Sequence, residues 1–250
     1  MREIYKKFNQ LKKKIRNKNL SLGTWMQIPS TEIADIFSSN EQFDWICVDL
    51  EHGNFGYEKL SDIFRIIQLN GKIPFARLKS CDANQAQKVL DLGAMGLIIP
   101  KINNSKEIHF LVDSVSHPPK GSRGHAFFRA NMYGKYFSEY NRVLKKPIII
   151  AMIETKEGLN SINEILKINK LDGIFVGPYD LSASLGTIGN FKSKQYISSI
   201  KKTILASKNY KKILGIHVVQ NSKKDLQKYV SKGFKFIAYS MDSVILRFLK

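Results

Sequence analysis

Five residues whose side chains can do chemistry stand just after short apolar runs, where a buried strand would end. They are Asp49 and His52 in Asp49-Leu-Glu-His-Gly53, Arg77, Glu154 in Glu154-Thr155, and Asp180 in Gly177-Pro-Tyr-Asp-Leu-Ser182. A carboxylate beside a buried run is costly unless it is paired, solvated or bound to a cation. If the runs before Glu154 and Asp180 are neighbouring strands, the two acids can offer hard oxygen ligands to one divalent ion. Magnesium, manganese or cobalt suits such a site, with positions left for water and substrate. Glu154 can equally cap a helix or pair with Arg77. Asp49 and His52 lie three apart, so the carboxylate can orient an imidazole that titrates near neutral pH; a histidine satisfied by backbone is the alternative. Arg77 can bind a carboxylate or steady an enolate oxygen, or it can form a structural ion pair with one of the acids. Gly177-Pro178-Tyr179-Asp180 reads as a turn into a helix whose N–H groups can receive a substrate carboxylate. His217 has no acidic neighbour and reads as structural. Lys101, just past Pro100, is a candidate for a Schiff base, but its neighbours do not obviously depress its pKa.

These groups need elements to hold them. Short β-branched or aromatic runs alternate with stretches of helical period, the pattern of repeated βα units. The runs are Leu22–Ile28, Trp45–Leu50, Ile73–Leu78, Gly96–Pro100, Pro147–Ile153, Gly173–Val176, Ile213–Val218 and Phe236–Tyr239. Helix candidates between them include Glu58–Leu69 and Asn84–Leu92, the latter capped by Asp82. Continuously apolar strands are buried on both faces, which favours a parallel sheet covered by helices. The class is therefore α/β and the first reading a (β/α)8 TIM barrel, in which reacting groups come from the C-terminal ends of strands. A doubly wound sheet is second, without a G-x-G-x-x-G after the first strand to support it. Residues 1–250 read as one domain. Residues 117–140 break the rhythm and read as an inserted loop near the active site or a subunit interface, with its Arg123–Arg129 stretch contributing to specificity.

The 250 residues carry 40 Lys and Arg against 21 Asp and Glu, a formal net charge of +19. Lysines are strewn along the chain, and no RNA-recognition, helix-turn-helix or zinc-finger pattern gathers them. The reading is a solvated surface that also favours anionic substrates, with no nucleic-acid partner. Cys47 and Cys81 share no C-x-x-C pattern, and no apolar run reaches the ~20 residues that span a bilayer. A soluble cytoplasmic protein with no membrane partner is expected.

Five segments in order carry a family likeness: Phe43-Asp-Trp-Ile-Cys-Val-Asp-Leu-Glu-His-Gly53, Leu90-Asp-Leu-Gly-Ala-Met-Gly-Leu-Ile-Ile-Pro100, Pro118-Pro-Lys-Gly-Ser-Arg-Gly124, Ile153-Glu-Thr155 and Asp172-Gly-Ile-Phe-Val-Gly-Pro-Tyr-Asp-Leu-Ser-Ala-Ser-Leu-Gly186. The chain resembles the HpcH/HpaI aldolase family of metal-dependent class II pyruvate aldolases. The resemblance implies that Glu154 and Asp180 bind the metal, that His52 oriented by Asp49 handles protons through water, and that Arg77 stabilises an enolate. It also implies that the Tyr179 and Asp180 amides hold the pyruvate carboxylate and that Glu51 acts on a metal-bound water. The implied reactants are a small anionic 2-oxo acid and an aldehyde. One position departs from the family pattern: Met152 stands two residues before Glu154, where Gln is common, and a thioether cannot replace a carboxamide. That leaves open a condensing enzyme using an acyl thioester, as in citrate-forming relatives. A non-catalytic nucleic-acid-binding barrel is disfavoured by the intact residue set. The chain ends at Met241-Asp-Ser-Val-Ile-Leu-Arg-Phe-Leu-Lys250, whose apolar residues nearly encircle a short helix. With the resemblance, this predicts an exchanged C-terminal helix and a homo-oligomer, a hexamer.

Overall fold

Alternate residues of each apolar run face opposite sides of a strand, and here the two sides fill two separate cores. The structure, a computed structural model, describes residues 1–247. Its strands are β1 Ser21–Met26, β2 Trp45–Asp49, β3 Ile73–Arg77, β4 Gly96–Ile99, β5 Ile148–Ile153, β6 Gly173–Val176, β7 Ile213–Val218 and β8 Phe236–Met241. They pair in parallel, in sequence order, and β8 returns to β1 to close a barrel. Ile46 and Val48 of β2 join the shell under the surrounding helices, as do Ile149, Ala151 and Ile153 of β5. Trp45, Cys47, Phe75, Ile150, Met152, Phe175 and Phe236 fill the barrel interior, where Trp45 stacks on Phe236 at 4.3 Å between ring centroids. Gly23 and Gly96 make room for these rings, since a Cβ at either would lie 2.1 Å from Trp45 or Phe75.

The inward parity continues past this core. Gln27, Asp49, Arg77 and Glu154 each follow an inward residue by two, which brings them to the C-terminal mouth of the barrel. Asp49 and Arg77 are register partners at the last rung of β2 and β3.

The opposite mouth is closed by the helix Arg2–Arg16, whose Ile4, Tyr5, Phe8, Leu11 and Ile15 are buried. The inserted segment 117–140 joins it there, so of the two expected places, beside the active site or at a subunit interface, the first does not hold within one chain. It connects the helix Ser105–Ser114 to the start of β5, and such connections lie at the N-terminal end of a barrel. Arg123 pairs with Asp91 at 2.6 Å, Arg129 bonds Leu92 O and Gln68 Oε1, and Tyr5 Oη reaches Ala130 O at 3.4 Å. Arg123 and Arg129 are both buried in this plug, so within one chain they cannot read a substrate at the far mouth.

Strand limits differ from the expected ones for local reasons. β1 ends at Met26 because the Gln27 and Ile28 amides turn to the Asp242 carboxylate (2.8–3.0 Å) instead of a neighbouring strand. Pro100 has no N–H to extend β4. β8 runs two residues further than expected, through Ser240, whose φ of 58° accompanies a register shift against β1. Asp82 caps its helix as expected, accepting from the Asn84 and Gln85 amides.

Candidate active site

The centre of the mouth is a buried ion pair. Arg77 donates Nε to Asp49 Oδ1 at 2.8 Å and Nη2 to Asp49 Oδ2 at 2.6 Å, while its guanidinium lies 4.1 Å over the Trp25 ring. Asp49 also accepts the Gln27 carboxamide (2.9 Å) and the backbone N–H groups of Glu51 (3.1 Å) and His52 (3.3 Å). Burial opposes the Asp49 charge, but the Arg77 bonds and charge and the Gln27 amide outweigh it and hold the pKa below the usual carboxylate range. Burial likewise pulls against Arg77, and the Asp49 bonds and charge outweigh it, keeping its pKa raised.

Glu51 extends the pair. Its carboxylate lies 3.1 Å from Arg77 Nη1 and 3.0 Å from Lys101 Nζ. Oε2 is nevertheless buried without an aligned hydrogen bond, although Nη1 lies beside it, while Nε and Nη2 of the same guanidinium are directed at Asp49. Glu154, at the end of β5, is 2% exposed and accepts the Lys101 backbone N–H at 2.6 Å. Its other oxygen lies over Gly177, where a Cβ would stand 2.5 Å away. Burial pushes its pKa up to about 7, opposed by the Lys101 amide and assisted by the charges of Asp180 and Glu51. Asp180 is exposed in the first turn of the helix Pro178–Ser184, whose N-cap is Gly177. Tyr179 is exposed there too, with its ring 5.2 Å from Phe191.

These residues fit a divalent cation. Asp49, Glu51, Glu154 and Asp180 bring four carboxylates against two cations, Arg77 and Lys101, and neither Glu154 nor Asp180 has a salt-bridge partner among the described residues. The two excess negative charges match one divalent ion, and the oxygen-only donor set suits a hard one. No three His, Cys, Asp or Glu side chains among the described residues converge into a cage. An ion held here would therefore draw most of its ligands from water and substrate.

The structure brings Asp49, Glu51, Arg77, Glu154 and Gly177 to one mouth, with Asp180 close enough to act electrostatically on Glu154. It does not make Asp49 the support of the His52 ring. The tight turn after β2 presents the Glu51 and His52 amides to the carboxylate, while the His52 side chain is exposed and forms no hydrogen bond among the described residues. His217 is structural, its Nε2 bonded to Ser240 O at 3.2 Å and its ring stacked on Trp25 at 5.1 Å. Glu51 holds the Lys101 ammonium above its ordinary pKa, so this amine is not the neutral nucleophile that a Schiff base requires. Met152 is buried among Trp25 and Phe175, and Arg77 is held without any carboxamide from β5. Sequence reasoning missed Gln27 and Trp25. Gln27 follows a strand as the other site residues do, and placing it inside β1 hid that signal.

A family model described as HpcH/HpaI aldolase/citrate lyase matches residues 21–247, which take in every residue of this mouth. The chain belongs to that family. Among HpcH/HpaI relatives, it is 29% identical over 240 residues to the hydroxypyruvate/pyruvate aldolase of Roseobacter denitrificans, covering 95% of this chain and 93% of the relative. It is 26% identical to the 4-hydroxy-2-oxo-heptane-1,7-dioate aldolase of Escherichia coli, covering 95% and 90%. A crystal structure of an HpcH/HpaI aldolase/citrate lyase family protein from Burkholderia cenocepacia superposes with a TM-score of 0.88 at 25% identity, covering 96% and 95%. The chain is a carbon–carbon lyase of the aldolase type.

Proposed function

We propose that this protein is a divalent-metal-dependent class II aldolase. It breaks or forms the C3–C4 bond of a 4-hydroxy-2-oxo acid, with pyruvate or a related 2-oxo acid and an aldehyde as the smaller partners. The observation that carries the reading is the buried, cation-free Glu154 beside Asp180 and within the field of Arg77. Glu154 and Asp180 would hold magnesium, manganese or cobalt, which when bound supplies Lewis-acid polarisation of the keto group. Arg77 is aimed by its fork on Asp49 and adds a fixed positive charge where enolate oxygen develops, in a site that needs no reorganisation to deliver it. The first-turn amides of Tyr179 and Asp180 have no partner within their helix and suit the substrate carboxylate. His52 is the group for moving the 4-hydroxyl proton, through water, and its exposure leaves it free to do so. Glu51, tied to Arg77 and Lys101, orders water at the same mouth.

The same reading includes a cytoplasmic homo-oligomer, a hexamer. Its support is the helix Asp242–Arg247, where Val244 is buried and Leu246 is 42% exposed. Phe248 and Leu249, part of the expected apolar surface, lie outside the described residues. Cys47 and Cys81 are both free thiols, as a reducing compartment leaves them. The test is a panel of 4-hydroxy-2-oxo acids assayed for pyruvate release with magnesium, manganese or cobalt, beside an acyl-thioester condensation assay. Metal-dependent pyruvate release is expected. Thioester condensation without aldol cleavage would transfer the site to the condensing reaction.

A further inference from the structure

Lys101 touches two of the site acids with opposite ends of one residue. Its backbone, at a φ of 51°, donates N–H to Glu154 Oε1 at 2.6 Å, while its ammonium sits 3.0 Å from Glu51 Oε1. Glu51 is thereby bracketed, with Lys101 on one oxygen and the Arg77 guanidinium 3.1 Å from the other. Its side chain is only 8% exposed, so its charge is met by these two cations rather than by bulk water. Glu154 and Asp180 have no such cation, and the three acids do not converge as a ready-made cage.

We propose that Lys101 is a positioning residue that withholds Glu51 from the metal, so that Glu154 and Asp180 hold the ion alone and its remaining positions stay open for substrate. This rests on the metal-dependent reading above and specifies how that site is kept open. The reasoning is electrostatic. Without the ammonium, Glu51 Oε1 becomes a nearly buried carboxylate oxygen with no partner, a costly state that a neighbouring divalent ion can relieve. A third carboxylate raises affinity for hard cations and favours large ions of high coordination number, such as calcium, over magnesium. The ion pair itself adds little to folding, because the Lys101 side chain is 58% exposed. Lys101→Met and Lys101→Gln keep a non-glycine residue on the same backbone and should fold.

The experiment titrates metal-free protein with Mn2+, reading free Mn2+ by EPR and the waters on bound Mn2+ by proton relaxation. Removing one unit charge near a divalent ion should tighten Mn2+ binding about ten-fold in Lys101→Met and Lys101→Gln. Relaxation enhancement per bound ion should fall as Glu51 replaces water, and Lys101→Arg should stay within about two-fold of wild type because it keeps the charge. Calcium should gain on magnesium in the two neutral variants. Equal or weaker Mn2+ binding by Lys101→Met and Lys101→Gln, with melting curves like wild type, would overturn the proposal. Failure of wild type itself to bind Mn2+ would remove the metal-dependent reading as well, a result distinct from equal binding by wild type and variants.

Discussion

Replacing Asp49 by Asn keeps the side-chain shape and removes the charge on which the site is organised. Every partner of Asp49 is a donor: Arg77 Nε and Nη2, Gln27 Nε2, and the Glu51 and His52 amides. An asparagine offers them one oxygen, and its NH2 then faces donors whichever way the amide is turned. Two unit charges about 4 Å apart at an effective dielectric constant of about 20 attract by about 4 kcal/mol. Removing one member of a buried pair costs about 3–5 kcal/mol, because the other is left uncompensated. Here the poorly aligned Glu51 would be the one carboxylate left to Arg77. For a chain of this length each kcal/mol lowers Tm by about 2–4 °C, so Asp49→Asn should melt about 10 °C below wild type. The same change should lower kcat, since Arg77 loses its aim. The double variant Asp49→Asn/Arg77→Met removes both charges and should recover much of the stability but none of the activity, measured by urea denaturation and calorimetry. If Asp49→Asn lies within about 1 kcal/mol of wild type, or the double variant is no more stable than the single, the buried pair is not what holds this mouth together.

Two further predictions test the surroundings of that pair. Gly177→Ala should cost about 1–3 kcal/mol of stability and reduce turnover at least ten-fold, because its Cβ would sit 2.5 Å from a Glu154 oxygen and 3.1 Å from the Glu154 Cβ and must displace that buried carboxylate; wild-type kcat would show that Glu154 need not stay there. Two buried histidines should lower stability in mild acid, against a smaller opposite effect of Glu154, whose pKa of about 7 lets the folded chain take up its proton first: burial holds both His117 and His217 down to about 4, against 6.5 when unperturbed. As pH falls from 6.5 towards 4 the unfolded chain takes up protons that the folded one refuses. This contribution is therefore complete above pH 6.5 and declines down to about 4, by up to about 1.4 kcal/mol per pH unit for each histidine. Urea denaturation across this range should show stability falling more steeply with acid in wild type than in a His117→Gln/His217→Gln variant, the difference being the histidine contribution; an identical slope in the variant would assign the acid sensitivity elsewhere.

The strands were legible because each is an apolar run, and the site because polar residues at strand ends share the inward parity of the residue two before them. Asp49, Arg77 and Glu154 follow that rule and sit together. Gln27 follows it too, but its strand end was invisible in sequence, since what stops β1 is the carboxylate of Asp242, more than two hundred residues away. The spacing of Asp49 and His52 suggested a carboxylate orienting an imidazole, where the chain in fact makes a tight turn. It could not say that the turn would present backbone amides rather than the imidazole, because that choice depends on Arg77 and Gln27 filling the carboxylate first. The segment 117–140 read, by its length and glycine and proline content, as a loop beside the active site or at a subunit interface. Its anchors, Gln68 Oε1, Leu92 O and Asp91, lie at the ends of helices leading to the other mouth, a fact of topology rather than composition.

The central claim is that Glu154, Asp180 and Arg77 support a metal-dependent enolate, and it can be tested without knowing the aldehyde. Pyruvate in D2O is followed by NMR for exchange of its methyl protons, with wild type, Glu154→Ala and Asp180→Ala, each with Mn2+-free Mg2+ or with chelator. Exchange should be fast only in wild type with metal and lost in both variants. Equally fast exchange by chelator-treated enzyme, or inactivation by borohydride plus pyruvate with an adduct on Lys101, would contradict it.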